Sequence, residues 1–227
     1  MTPSALEFHH FAARSGEAGK TWVQEYLRPE VQRPVQRIDE ALLLMRRRKL
    51  DAGLERLQET TLELRRLSEL PPAVLSVLDR WYFGVLSFYQ YCVEDFEAAT
   101  GSLSRAEESV VAALSGCRFL LPLANHCHEF RLHHARIARN QRHWDEMWRH
   151  IEVARAMMED RSPLCLLADG SAVGYSDLIK FYRALEPLSP QELDYLKEEL
   201  NPELRIQLFQ RFTHSLCTIP GFVIPYP

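Results

Sequence analysis

The chain of 227 residues lacks a hydrophobic run long enough to cross a membrane, and its first 20 residues contain no apolar segment typical of a secretion signal. It also lacks the positive charge of a protein that coats nucleic acid, because 31 acidic side chains outnumber 27 basic ones and the net charge is −4. We therefore expect a cytoplasmic protein with no membrane partner and no dependence on nucleic acid.

Cysteine is sparse, and no two cysteines form a CxxC pair. The five positions are scattered and odd in number, which argues against both a disulfide framework and a zinc ribbon. Alternation of polar and apolar residues strong enough to predict a sheet is also missing. With 46% hydrophobic and 26% charged residues, the composition favours a folded domain built from helices.

A repeated pattern of small and bulky residues is present in three segments. In each segment a small residue precedes a bulky apolar residue by nine positions: Ala41 and Leu50, Ser87 and Phe96, Ala135 and Trp144. Further residues suited to packing follow the bulky one by three, seven and ten positions: Gly53, Leu57 and Thr60; Ala99, Leu103 and Ala106; Met147, Ile151 and Ala154. Steps of three and four keep these positions on one helix face, so the pattern predicts pairs of helices packed as hairpins.

The start signals of several helices are also readable. Pro29 and Pro34 mark a new helix that we expect from residue 35 onward, since proline is tolerated in a first helical turn. Asp95 is expected to cap the helix that follows it, and Ser189 with Glu192 forms a capping-box signature before another. The predicted order is an N-terminal helical segment (residues 1–34), three hairpins (35–160), a C-terminal helical cap (161–217) and an apolar extended tail (218–227).

The small-to-bulky series resembles tetratricopeptide-type (TPR) repeats over about residues 35–160. The bulky residues are 46 and 48 positions apart, which is longer than the period of about 34 in that family. The resemblance implies an all-α fold, a short solenoid of helical hairpins with capping helices at both ends. A plain antiparallel helical bundle is the alternative architecture.

In the family, the first helix of each hairpin lines a groove that binds peptides. Carried over to this chain, the resemblance puts an aromatic floor on the second hairpin: Trp81, Phe88 and Tyr91. It puts a basic wall on the third, among the residues Glu129, Leu132, Arg136, Arg139 and Asn140. Such a groove suits a protein or peptide partner with apolar anchors and an acidic group or a C-terminal carboxylate. The function implied is that of an adaptor, assembly factor or regulator. The simpler interpretation is that the aromatics are core residues and the arginines a solvated face.

Two other functions stay open. His126, Glu129 and His133 share one helix face and could ligate zinc or iron, as in a helical-bundle metal-dependent enzyme, but one helix leaves the ligand set incomplete. We therefore expect no bound metal and no cofactor. The arginine faces could instead meet nucleic-acid phosphates in a regulator. No serine, cysteine or carboxylate pair has a recognisable catalytic setting, so the sequence favours a binding protein over an enzyme.

Overall fold

A computed structural model of the protein describes residues 8–67, 69–219 and 222–223. Within these residues the helices are α1 (Phe8–Arg14), α2 (Glu17–Tyr26), α3 (Pro29–Arg46), α4 (Leu50–Arg66), α5 (Pro72–Cys92), α6 (Phe96–Gly116), a 3-10 helix (Arg118–Asn125), α7 (His126–Asn140), α8 (Trp144–Met158), α9 (Tyr175–Arg183), α10 (Pro190–Tyr195), α11 (Lys197–Leu200) and α12 (Pro202–Cys217). The predicted all-α fold is confirmed.

Strand structure in the described residues is limited to two short antiparallel pairs. β1 (Cys165–Leu166) pairs with β2 (Ala172–Val173), and β3 (Thr218–Ile219) pairs with β4 (Phe222–Val223). The β3–β4 pair is the described part of the predicted apolar tail; the rest of that tail, and residues 1–7, lie outside the described residues. No described helix combines the length and the apolar character that a membrane span requires.

Three of the predicted helix starts can be compared with the structure. Asp95 caps α6, its carboxylate accepting a hydrogen bond from the Ala98 amide at 3.2 Å. The capping box before α10 is also confirmed, since the Ser189 hydroxyl and the Glu192 carboxylate each accept from the other's amide. The expected start of α3 is wrong, because the helix begins at Pro29 and contains Pro34. Proline at the first helical position has no amide to leave unpaired, so Pro29 opens the helix and Pro34 gives up one hydrogen bond inside it.

The turns within the three predicted hairpins share one backbone geometry. The second helix of each pair begins at the bulky residue of the repeat, and the residue two positions earlier has a positive φ: 62° at Arg48, 63° at Glu94 and 61° at Arg142. In each turn the amide that follows this residue donates to the carbonyl five residues before it, at 2.9–3.0 Å. This bond closes the helix end in the manner of a Schellman motif.

The small residues of the repeat lie where the two helices of a hairpin approach closely. A Cβ added to Gly53 would lie 2.6 Å from Met45 Cγ and 3.0 Å from the Ala41 carbonyl oxygen on the facing helix. At the equivalent place in the next hairpin, the buried Ser87 hydroxyl donates to the Ala99 carbonyl at 2.8 Å. The positions three, seven and ten after the bulky residue are buried in all three hairpins. The predicted packing of consecutive helices in pairs is thereby confirmed.

The chain divides into two compact units. The amino-terminal unit, residues 12–120, contains the first two hairpins, α3–α4 and α5–α6. Its helices α3, α4 and α5 enclose a core cluster of apolar side chains: Ile38, Ala41, Met45, Leu57 and Val85. In the same unit, the rings of Trp22 and Tyr26 stack at 5.0 Å.

The carboxy-terminal unit contains the third hairpin, α7–α8, together with residues 8–11 and the helices from α9 onward. Helix α12 packs on α8, and α11 packs on both α9 and α12. The fully buried ring of Phe11 lies edge-on to Tyr182 at 5.3 Å and tilted against Tyr195 at 5.8 Å. The contact between α12 and α8 positions α12 beside the third hairpin.

Candidate binding site

A cleft of about 580 Å³ lies in the carboxy-terminal unit, lined by α7 and α12. Tyr175 and the α11 residues Glu198 and Glu199 also line it. Its apolar lining comes from both helices and from the end of α8: Leu132, Met158, Leu208, Phe209 and Phe212. We refer to this space as the α7–α12 cleft.

The α7 wall of the cleft carries part of the face that the repeat pattern assigns to a groove. Glu129, Leu132 and Arg136 line it, at spacings of three and four that place them on one side of the helix. The Arg136 guanidinium lies 4.5 Å from the centre of the Phe212 ring, and its Nη1 is 3.2 Å from His133 Nδ1. Arg136 thus joins α7 to α12 through a cation–π contact at the cleft wall.

Arg139 and Asn140 belong to the same helix but have a different role. Arg139 Nη1 donates to the Leu216 carbonyl at 3.1 Å, and its Nε and Nη2 each donate to Asn140 Oδ1 at 3.3 Å. Carbonyls in the last turn of a helix lack intrahelical partners, so a guanidinium placed there stabilises the helix end. Neither residue is among those that line the cleft.

The polar end of the cleft is a network around the buried side chain of Tyr175. Its hydroxyl donates to Asn125 Oδ1 at 2.5 Å and lies 3.2 Å from His128 Nδ1. The Asn125 amide in turn donates to Glu199 Oε1 at 3.2 Å. The Arg205 guanidinium lies 3.9 Å from the centre of the Tyr175 ring. Four chain segments therefore meet in one hydrogen-bonded and cation–π arrangement.

Arg205 is almost fully buried, and its donors are directed at the main chain. Its Nε donates to the Met158 carbonyl at 2.8 Å and its Nη1 to the Glu199 carbonyl at 3.0 Å. Burying a guanidinium is costly unless its donors are paired; these bonds pair two of its five N–H groups and tie α12 to α8 and α11. Burial lowers the pKa of Arg205.

Burial also sets the protonation states in the network. It lowers the pKa of His128, a shift that the nearby Glu129 carboxylate opposes, and it raises the pKa of Tyr175 strongly. At neutral pH, His128 is therefore a neutral imidazole and Tyr175 a phenol that donates a hydrogen bond. Burial raises the pKa of Glu199 as well; a backbone hydrogen bond and the Arg205 charge oppose this shift, and the charges of Glu198 and Glu129 increase it.

One oxygen in this network is left over. Among the described residues, Glu199 Oε2 is buried and has no hydrogen-bond partner. A buried acceptor without a donor costs free energy, on the order of 1–3 kcal/mol. The arrangement can therefore accept a hydrogen bond from a donor group of a bound molecule.

The predicted aromatic floor lies in the other unit. The Trp81 indole donates to Asp39 at 2.9 Å, and Trp81 and Phe88 pack against the core cluster of the amino-terminal unit. The Tyr91 ring lies edge-on to Phe96 at 6.1 Å. All three predicted aromatics are half-buried. A groove shared between them and the α7 residues stays a prediction.

The histidine-rich stretch is divided among separate interactions. His126 Nδ1 lies 3.0 Å from Glu129 Oε2 and His133 pairs with Arg136, whereas His134 stacks on His150 of α8 with ring centres 5.0 Å apart. Burial lowers the pKa of His134 to about 4 and also lowers that of His150. In the described part of the chain, no group of three or more His, Cys, Asp or Glu side chains is placed to hold a metal ion.

The residues that sequence reasoning missed come from distant parts of the chain. Tyr175, Glu199 and Arg205 follow the third hairpin and carry no motif that would mark them. The one usable signal is Arg205 itself, an arginine among the apolar positions of a helix that begins after the Asn201 cap.

Comparison of the chain with protein-family models, with curated proteins and with solved structures found no match.

Proposed function

We propose that this protein binds a segment of another protein in the α7–α12 cleft and acts as an adaptor, assembly factor or regulator. One observation carries the proposal: Glu129, Leu132 and Arg136, which the TPR-like pattern assigns to a groove face, line a cleft of about 580 Å³. A cleft of this size accommodates a few side chains of a peptide.

The lining gives the proposed partner its chemistry. Leu208 is 37% exposed and lies beside the phenylalanines of α12, so apolar side chains of the partner gain contact area there. Arg136 offers a guanidinium at the cleft wall, where a partner carboxylate would form a charge-assisted hydrogen bond. The proposed partner therefore has apolar anchor residues and an acidic group or a C-terminal carboxylate.

The experiment that tests this proposal uses two leucines of α12. Leu204 and Leu208 are both 37% exposed, but only Leu208 lines the cleft. Proteins captured by the wild type should also be captured by Leu204→Glu but not by Leu208→Glu. Calorimetry with each captured protein should show weaker binding to Leu208→Glu than to Leu204→Glu. Equal retention by both variants would exclude the cleft as the binding surface.

Arg136 gives an independent arm of the same test. Arg136→Met keeps the apolar stem against Phe212 and removes the charge, so binding of a carboxylate-bearing segment should weaken by about 1.5–3 kcal/mol. Circular dichroism of each variant at the binding temperature checks that it is folded. If Arg136→Met bound the segment as tightly as the wild type, the partner's carboxylate would not be recognised by Arg136.

A cytoplasmic location belongs to the same proposal. It is supported by the cysteines: Cys92 and Cys117 are free thiols, as is common in a reducing compartment. Cell fractionation with a tagged chain tests it, and recovery from an oxidising compartment would contradict it.

A further inference from the structure

The α7–α12 cleft has ends of opposite charge. Glu129 and Arg136 are seven positions apart on one face of α7, which corresponds to about 10.5 Å along a helix. Glu198 and Glu199 act electrostatically together with Glu129, since both Glu198 and Glu129 affect the pKa of Glu199. One end of the cleft therefore carries three carboxylates, and the other carries the Arg136 guanidinium.

Arg205 is the positive charge nearest to the acidic end, but it does not pair directly with a carboxylate there. Arg205 donates to the Met158 and Glu199 main-chain carbonyls, and its guanidinium lies against the Tyr175 ring. Asn125 donates to Oε1 of the Glu199 carboxylate, and Oε2 is buried without a hydrogen-bond partner among the described residues. A cationic donor is the group that would complete this end of the cleft.

We propose that the acidic end of the cleft accepts a lysine side chain of the bound segment, while a carboxylate of the same segment meets Arg136. This inference rests on the proposed function and names the partner's chemistry. A lysine suits the site because its stem can pack on Leu132 and Leu208 while its ammonium reaches the carboxylates. The terminal torsion of glutamate is soft, so the Glu199 carboxylate can turn toward a cationic donor in the cleft.

The spacing follows from backbone geometry. An extended peptide advances about 3.3 Å per residue and alternates its side chains between opposite faces, so two side chains that enter the same cleft are an even number of residues apart. About 10 Å lies between the spans of two and four residues. The favoured segment therefore has lysine and Asp/Glu two or four residues apart, in either order. Acetyl-lysine and norleucine should be disfavoured because they remove the charge, and adjacent charges should be disfavoured because they point to opposite faces.

The test uses a library of acetylated, amidated, fluorescently labelled hexapeptides with lysine, acetyl-lysine or norleucine fixed at one position. Wild-type protein should bind the lysine pools about tenfold more tightly or better, the range expected for a hydrogen bond between charged groups. Glu199→Gln should abolish this preference, since it keeps the shape and the Asn125 bond but not the charge. Glu203→Gln, at an exposed position outside the cleft lining, should keep it.

A second arm separates failure of the lysine site from failure of peptide binding. Titration with n-butylammonium should shift the ¹³C-methyl signal of Met158, which lines the cleft, in wild type and not in Glu199→Gln. The uncharged n-butanol should produce a smaller shift. Peptide binding without lysine preference, or a preference that survives Glu199→Gln, would overturn the lysine inference and leave the proposed function intact. If no pool binds, the proposed function fails, and the absence of an n-butylammonium shift would then remove the lysine site too.

Discussion

Acidification should destabilise the third hairpin through the stacked histidines His134 and His150. His134 is 8% exposed, and Arg131 and His150 lie near enough to disfavour a charge on it. Its pKa in the folded protein is about 4, against an ordinary value of 6.5 that the unfolded chain recovers. The perturbation is a decrease of pH from 7.5 to 5.0.

The size of the effect follows from the difference between the two states. At pH values between 4 and 6.5 the unfolded chain binds a proton that the folded protein excludes, so the free energy of unfolding falls as the pH falls. The stabilising contribution is complete above pH 6.5 and decreases by about 1.4 kcal/mol for each pH unit below it. From pH 7.5 to 5.0 the expected loss is about 2 kcal/mol. The pKa of His150 is lowered as well, so its titration adds in the same direction.

The assay is urea denaturation followed by circular dichroism between pH 7.5 and 5.0. His134→Gln removes the buried imidazole and should reduce the pH-dependent loss by about 2 kcal/mol relative to wild type. His143→Gln is the matched control, because this histidine lies in the turn of the same hairpin with its side chain 58% exposed. If wild type and His134→Gln lose equal stability over this range, burial does not hold His134 neutral and the reasoning is refuted.

Three further predictions concern packing inside the hairpins and can be measured by the same denaturation at neutral pH. Gly53→Ala should destabilise the protein by about 1–3 kcal/mol because the added methyl meets the facing helix, whereas Gly101→Ala, with nothing within 4 Å, should stabilise it by up to about 1 kcal/mol. Equal effects of the two changes would contradict the close approach. Ser87→Ala should cost about 1 kcal/mol by leaving the buried Ala99 carbonyl without its side-chain donor; an unchanged midpoint would argue against that bond. Ala106→Leu, at a fully buried position, should cost about 1–3 kcal/mol, and normal stability would show that the helices there can separate freely.

The hairpins could be predicted from the sequence because their signals are local. Helical periodicity places Leu50, Phe96 and Trp144 at the start of their helices, and the structure has all three there. The turn conformation had no such signal: arginine and glutamate adopt the left-handed region at residues 48, 94 and 142, where glycine is the usual marker. The start of α3 was missed because two prolines both satisfied the same rule for a first turn.

One wall of the cleft coincides with residues singled out from the sequence. The resemblance to TPR repeats assigned Glu129 and Arg136 to one groove-facing side of the third hairpin, and both line the cleft. The opposite wall could not be found, because the approach of α12 and Tyr175 to α7 depends on tertiary packing between segments far apart in sequence. The aromatics of α5 show a second limit: an apolar face can line a groove or a core. Trp81 and Phe88 pack on α3 and its neighbours while half-exposed, so their part in a groove stays a prediction.

Arg136 and Arg139 show where sequence reasoning reaches its limit. They are three positions apart on α7, are both half-buried, and fit the same groove-facing pattern. Their difference comes from α12, which presents the Phe212 ring to Arg136 and the Leu216 carbonyl to Arg139. Arg136 lies against an aromatic ring at the cleft wall, whereas Arg139 donates to a helix-terminal carbonyl and helps to hold that helix in place. Removing Arg139 would thus disturb a wall of the cleft and lower affinity indirectly, so a variant of Arg136 alone is the change that can separate binding from folding.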